Sequence, residues 1–299
     1  KFATADTTVF AKDTKVVYSV LGSSELREMS ILPFAFLDGI VADSWPDKNP
    51  APLSAFGFLR VDETTRTVHF KSGNNVVDKD LIIPAGYQVK GEAPLHLDLR
   101  NGARIISNSP MDLRGMEDMA IVISSSDHSG GYMRLQNTKA LSKWQNVRFE
   151  GTGPAPNSTQ ASLQFQEADL TCVSRTLAED RSRDLLLVIR STVGLTGCQI
   201  LGGSDQVTLL YAHTTIQNCE INAAGDEGIV VKGGDLKVMN SQLNNITGIG
   251  IKISAAANVA LESVRIGATN KGIEVNEASE LKASNVVITS GAKGIDVNS

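Results

Sequence analysis

Stepping along the second half of the chain in units of 22 residues brings the same side-chain types back. From Leu185 the positions are Leu185, Val207, Ile229, Ile251, Ile273 and Ile295, all aliphatic. Two residues further on they are Leu187, Leu209, Val231, Ile253, Val275 and Val297, and one step earlier Leu163 and Phe165 fit both columns. Glycine precedes the first column in four successive copies, Gly228, Gly250, Gly272 and Gly294, and Lys252, Glu274 and Asp296 separate the columns in the last three. Apolar residues two apart around a polar one are the inside/outside alternation of a short strand. Repetition at a fixed interval makes that strand one unit of a repeat architecture.

Each repeat carries a second apolar stretch. Ile200, Ile221, Leu243, Ile266 and Ile288 follow one another at 21 to 23 residues. Leu195, Ile216, Val238, Leu261 and Ala283 lie five positions earlier, and Cys198, Cys219, Ser241, Val264 and Val286 two positions earlier. Gly197-Cys-Gln-Ile, Asn218-Cys-Glu-Ile and Asn240-Ser-Gln-Leu share this grammar, which predicts a second strand per repeat. A leucine-rich repeat has a similar period, but it needs leucine in its fixed slots and a recurring asparagine. Here Ile, Val, Cys and Ser fill the slots, and Pro156 is the last of nine prolines, as a regular β array requires. The predicted fold is all-β, a right-handed parallel β-helix of about 22 residues per turn.

Upstream the repeat is less regular. Leu81-Ile-Ile-Pro-Ala-Gly-Tyr, Leu97-Asp-Leu-Arg-Asn-Gly-Ala, Met111-Asp-Leu-Arg-Gly, Ala120-Ile-Val-Ile-Ser and Lys143-Trp-Gln-Asn-Val-Arg-Phe each read as one strand with its turn. The run from Asp80 to Gly115, with the later Asn218-Cys-Glu-Ile and Gly225-Asp-Glu-Gly-Ile-Val-Val copies, resembles bacterial extracytoplasmic β-helix proteins of the pectin-lyase-like superfamily. Within it the resemblance is to β-helix regions that accompany spore-coat-kinase-like domains. It covers roughly residues 68–299 and implies an extracellular or cell-surface location. Residues 1–67 do not repeat and are expected to form an N-terminal cap or small subdomain, with residues 68–299 as the β-helix. Ser23-Ser-Glu-Leu-Arg-Glu carries a helix N-cap pattern, and Trp45–Pro52 reads as a turn-rich linker. The chain opens on Lys1 rather than Met, as a mature or trimmed fragment would. Its last residues stop in mid-repeat, so a further domain or another chain is expected to cover that edge.

Several function classes are excluded at this level. A formal net charge of −5 argues against a nucleic-acid partner, which needs a basic face. The longest apolar stretch, Met29–Ala42, is interrupted by Pro33 and Asp38, so no membrane span is expected. His69, His96, His128 and His213 are scattered, with no zinc spacing, and there is no nucleotide-binding glycine motif or nucleophile elbow. No cofactor is expected, with Ca²⁺ the one metal considered.

The acidic residues that open the first strand are the candidate site. In a parallel β-helix, equal positions on adjacent turns lie about 4.8 Å apart, so Asp184, Asp205, Asp226 and Glu227 should converge. Gly225-Asp-Glu-Gly resembles the Gly-Asp-Asp stretch of polygalacturonase-like hydrolases, which implies Asp205, Asp226 and Glu227 as catalytic acids and bases. The match is broken one turn later, where Gly248-Ile-Gly stands instead of a Gly-His-Gly. A solvated turn with an Arg183–Asp205 ion pair is the competing reading, and Lys252–Glu274 is expected to pair on the surface. Asp184, Tyr211, Lys232 and Lys252 are the candidate substrate-binding residues. Cys198 and Cys219 are expected to stack inward as small hydrophobes, a disulfide between turns being the alternative; Cys172 has no assigned role. Two functions remain open: a polysaccharide-contacting β-helix (if an enzyme, a hydrolase, lyase or epimerase), or a non-catalytic adhesive or spacer module.

Overall fold

A computed structural model of the chain describes residues 15–19, 26–30, 50–153, 161–174, 176–179, 184–268 and 270–298. It divides into two compact units, Lys1–Trp45 and Pro46–Ser299. In the first, Lys15–Ser19 pairs antiparallel with Leu26–Ser30, Lys15 opposite Ser30. The helix expected to open at Ser23 is therefore corrected to a strand from Leu26. Its partner, Lys-Val-Val-Tyr-Ser, is rich in strand-forming residues, and pairing overrides a local capping signal.

The second unit is a parallel β-solenoid of about 10 turns of roughly 22 residues. Each turn contributes to three faces. Face A runs from Leu81–Ile83 to Lys293–Val297, face B from Thr67–Phe70 to Glu280–Ser284, and face C from Gly73–Val77 to Val287–Ser290. Every strand pairs in parallel with its copy one turn on, except that Leu59–Asp62 folds back antiparallel on Thr67–Phe70 and covers the first edge of face B. Phe56, Phe58 and Phe70 pack beneath that hairpin, with centroids 5.6 and 6.4 Å apart. The hairpin and the short 3-10 turn Leu53–Ala55 both lie in the second unit.

The register confirms most of the aliphatic columns and corrects one turn. Leu163 faces Leu186, and Leu186 faces Val207, so Leu186 and Val188 hold the positions first assigned to Leu185 and Leu187. The larger correction is a third face. The second apolar stretch of each repeat is two strands meeting at a bend: Leu195 and its copies lie on face B, Ile200 and its copies on face C. The same holds for Lys143–Phe149, which is Ser142–Gln145 and Val147–Glu150 on either side of Asn146.

One left-handed residue makes each of these bends. Asn146, Ser174, Gly197, Asn218, Asn240, Ser263 and Asn285 occupy seven consecutive turns with φ between 47° and 62°. Asn and Gly tolerate that region best, because a short amide side chain or none relieves the Cβ clash. The corners also satisfy their backbone. Ser241 Oγ accepts the N–H of Cys219 at 3.0 Å and donates to the Met239 carbonyl at 2.7 Å. On the opposite corner Ser191 Oγ accepts from Ala168 and donates to Ile189, both at 2.9 Å.

The glycine column has a steric cause. A Cβ on Gly250 would sit 2.4 Å from Ile266 Cγ2 and 2.5 Å from the Gly272 carbonyl oxygen, and one on Gly272 would sit 2.1 Å from Ile288 Cγ2. At Gly294 nothing lies within 4 Å. Gly250→Ala is thus expected to destabilise by about 1–3 kcal/mol through overpacking, and Gly294→Ala to leave the urea midpoint unchanged. Equal effects at both sites would dissociate the column from packing.

Candidate functional site

The acids expected to converge do so at the corner where face C passes into face A. Asp205 opens the strand Asp205–Gln217, directly in register with Asp184 one turn back. Asp226 and Glu227 lie one turn further on, in the connection between Glu220–Asn222 and Ile229–Met239. The parallel ladder continues through this connection: Gly225 N–H donates to Gly203 O and Asp226 N–H to Ser204 O, both at 2.9 Å. Gly248 completes the seating, because a Cβ there would lie 2.5 Å from the Asp226 carbonyl oxygen.

Within the corner one oxygen from each of Asp205, Asp226 and Glu227 lies within 4.8 Å of the others. Glu227 N–H donates to Asp205 Oδ1 at 3.2 Å, and Lys252 Nζ donates to Glu227 Oε1 at 2.8 Å. Glu227 is buried at 8% exposure, Asp184, Asp205 and Lys252 are half-buried, and Asp226 is exposed. Burial, the hydrogen bond with the Glu227 carboxyl and the Asp184 charge push Asp205 up to about 7. Burial also pushes Glu227 up, but its hydrogen bonds with Asp205 and Lys252 outweigh that and hold it below its ordinary value. The Glu227 partner in turn raises Lys252. One carboxyl thus keeps a proton near neutrality while its neighbour stays ionised against an ammonium group.

This arrangement offers a proton donor, an acceptor and a cation side by side. The Asp205 and Glu227 carboxyls are hydrogen-bonded neighbours, which suits proton sharing and hydroxyl recognition. The donor set does not fit Ca²⁺, which takes six to eight oxygens: three carboxyls converge here, and Lys252 already pairs with Glu227.

Lys232 and Tyr211 are not brought to this corner. Both lie at the far end of face A, about six residues along the strand and roughly 20 Å away at ~3.3 Å per residue. Tyr211 bends the chain toward face B at φ 50°, and its ring fills the space a Cβ on Gly233 would take, 2.5 Å from Cδ1.

Lys252, Glu274 and Asp296 stack in register as expected, but their partners differ. The expected Lys252–Glu274 pair is replaced by Lys252–Glu227; Glu274, equally buried, is already held by Lys271 and Asn276. Glu274 pairs with Lys271, which also holds Asp296 at 2.7 Å. Arg183, the expected partner of Asp205, lies outside the described residues. Sequence reasoning missed the pairing of His213 Nδ1 with Asp235 Oδ2 at 2.7 Å on face B, although their separation of one 22-residue period was the available signal. It also missed that Cys172 sits beside Cys198, whose sulfur lies 3.9 Å from the Cys172 carbonyl oxygen.

Compared with known proteins, residues 185–299 match the family model of a right-handed beta helix region. No curated protein and no solved structure matches the chain. The repeat, the parallel ladder and this match define a right-handed parallel β-helix protein. Among the described residues no helix is long and apolar enough to cross a membrane.

The raised Asp205 carries a stability signature. Its proton is held more tightly in the folded chain, so its contribution is complete below its ordinary 3.8 and is lost as pH rises through about 7. Glu227, shifted the other way, acts only at lower pH. The melting temperature of Asp205→Asn relative to the unsubstituted protein is expected to rise between about pH 5 and about pH 8. A flat difference would show that Asp205 is ionised throughout.

Proposed function

We propose that this chain is a secreted or cell-surface β-helix that contacts extracellular polysaccharide, using the acidic edge of face A. The observation that carries the reading is the Asp205–Glu227–Lys252 group. It aligns a protonated carboxyl, a carboxylate and an ammonium on consecutive turns of a straight solenoid. Sugar hydroxyls both donate and accept, and acidic sugars add a carboxylate for Lys252, so each group has a complement on a glycan. Asp226 and Asp184 flank the group, and Lys232 and Tyr211 lie across the sheet where a longer chain would extend. Binding is the core of the proposal; hydrolysis, elimination or epimerisation at Asp205, Asp226 and Glu227 is its stronger form.

A non-catalytic spacer or adhesive module is the second reading. It is favoured by Gly248-Ile-Gly250, which stands one turn after the acids where the hydrolase pattern has a Gly-His-Gly.

Incubation with a panel of neutral and acidic polysaccharides, read by co-sedimentation and by product mass spectrometry, separates the two. Retention of an acidic glycan is expected, reduced about tenfold or more in Glu227→Gln and Lys252→Met, the loss of one charge-assisted contact. Products from the unsubstituted chain alone would establish the enzymatic form. No retention on any glycan would leave the spacer reading in place.

A further inference from the structure

The corner between faces B and C holds a feature that the acidic edge does not use. Cys198 and Cys219 occupy the same place on adjacent turns: their next residues, Gln199 and Glu220, are register partners. Neighbouring strands lie about 4.8 Å apart, inside the ~4.4–6.8 Å between Cα atoms that a disulfide spans. The Cys198 N–H donates to Cys219 Sγ at 3.3 Å, and Cys219 Sγ lies 3.2 Å from the Gln217 carbonyl oxygen. Ser241, one turn on, makes the same two contacts through its hydroxyl, so these cysteines are hydrogen-bonding corner residues as well as apolar filler. All three cysteines are thiols rather than disulfides here.

Cys198 and Cys219 are buried, at 2% and 4% exposure, and both are among the residues that line a groove of about 1030 Å³ along this corner, beside Gly197, Asn218, Gln199 and Glu220. Cys172 is near Cys198 but lies on face B, in register with Trp144 and Leu195.

We propose that Cys198 and Cys219 are a thiol pair that a low-molecular-weight disulfide oxidises to a bond between adjacent turns, entering by the groove of the B–C corner. Cys219 is the attacking sulfur. The Cys198 N–H donates to it at 3.3 Å. Its thiolate displaces one half of the small disulfide, which leaves as a thiolate and takes up the proton. Cys198 then loses its proton and attacks Cys219 Sγ, releasing the second half as a thiol. Two protein thiols are oxidised and one small disulfide is reduced to two thiols, so the exchange balances. The inference stands independently of polysaccharide contact.

The test uses the full chain, folded, with glutathione disulfide as the probe. Thiols titrated afterwards in denaturant are expected to fall from three to one, and peptide mapping to find Cys198 linked to Cys219. The melting temperature should rise and reductant should reverse both changes, because the bond closes a loop in the unfolded chain. Cys172→Ser should retain the link, whereas Cys198→Ser and Cys219→Ser should lose it. Cys198→Ser and Cys219→Ser are expected to fold, since Ser241 already makes the corner contacts with a hydroxyl. Three remaining thiols, a link through Cys172, a stable glutathione adduct, or a link formed only after unfolding would each overturn the proposal.

Discussion

The distance between neighbouring parallel strands, about 4.8 Å, governs nearly everything in this molecule. It places each side chain over its own copy one turn away, so the chain can only use residues that tolerate a near-duplicate as neighbour. Inside, this means columns such as Val207, Ile229, Ile251 and Ile273, all without measurable exposure. At the edge it forces like charges together: Asp184 and Asp205 are register partners, and the cost of that proximity is met by a retained proton. Where opposite charges fall in line, Lys271 can hold both Glu274 and Asp296.

The corners obey a second rule. A strand that turns inward on itself leaves backbone N–H groups that must be paired, and small polar side chains from the following turn pair them. Serine does this on one corner, serine and cysteine on the other. The cysteines are therefore bound into the same ladder that holds the backbone, which fixes their sulfurs close to one another. Reactivity at such a place follows from architecture rather than from a dedicated active site.

The strands of the last six turns were legible because their apolar columns recur at nearly constant spacing. The third face was not. Faces B and C are separated by one or two residues in most turns, and no polar gap announces a bend made by a single left-handed Asn, Ser or Gly. The upstream irregularity has a different origin. Asp112 and Lys143 are register partners 31 residues apart, because the connections at 115–120 and 125–132 are long. For the site, register predicted that Asp205, Asp226 and Glu227 would meet, but not which acid Lys252 would choose. Glu227 and Glu274 are equally buried, and Glu274 is taken by Lys271, which leaves Lys252 to Glu227. The helix signal at Ser23 misled because a capping pattern is local, whereas Leu26–Ser30 is a strand set by its pairing with Lys15–Ser19.

The three corners are unequal in one respect. Between faces B and C the connection is one or two residues in every turn but the one at 115–120, whereas between C and A it runs from two residues, at 203–204, to twelve, at 151–162. Each strand takes its register from the turn beneath it, so residues added at the C–A corner displace nothing further along the axis. That corner can be rewritten in length and composition while the stack of strands stays in place. It is also the corner where the carboxyls gather, so this solenoid can acquire a new surface chemistry there without altering the fold that carries it.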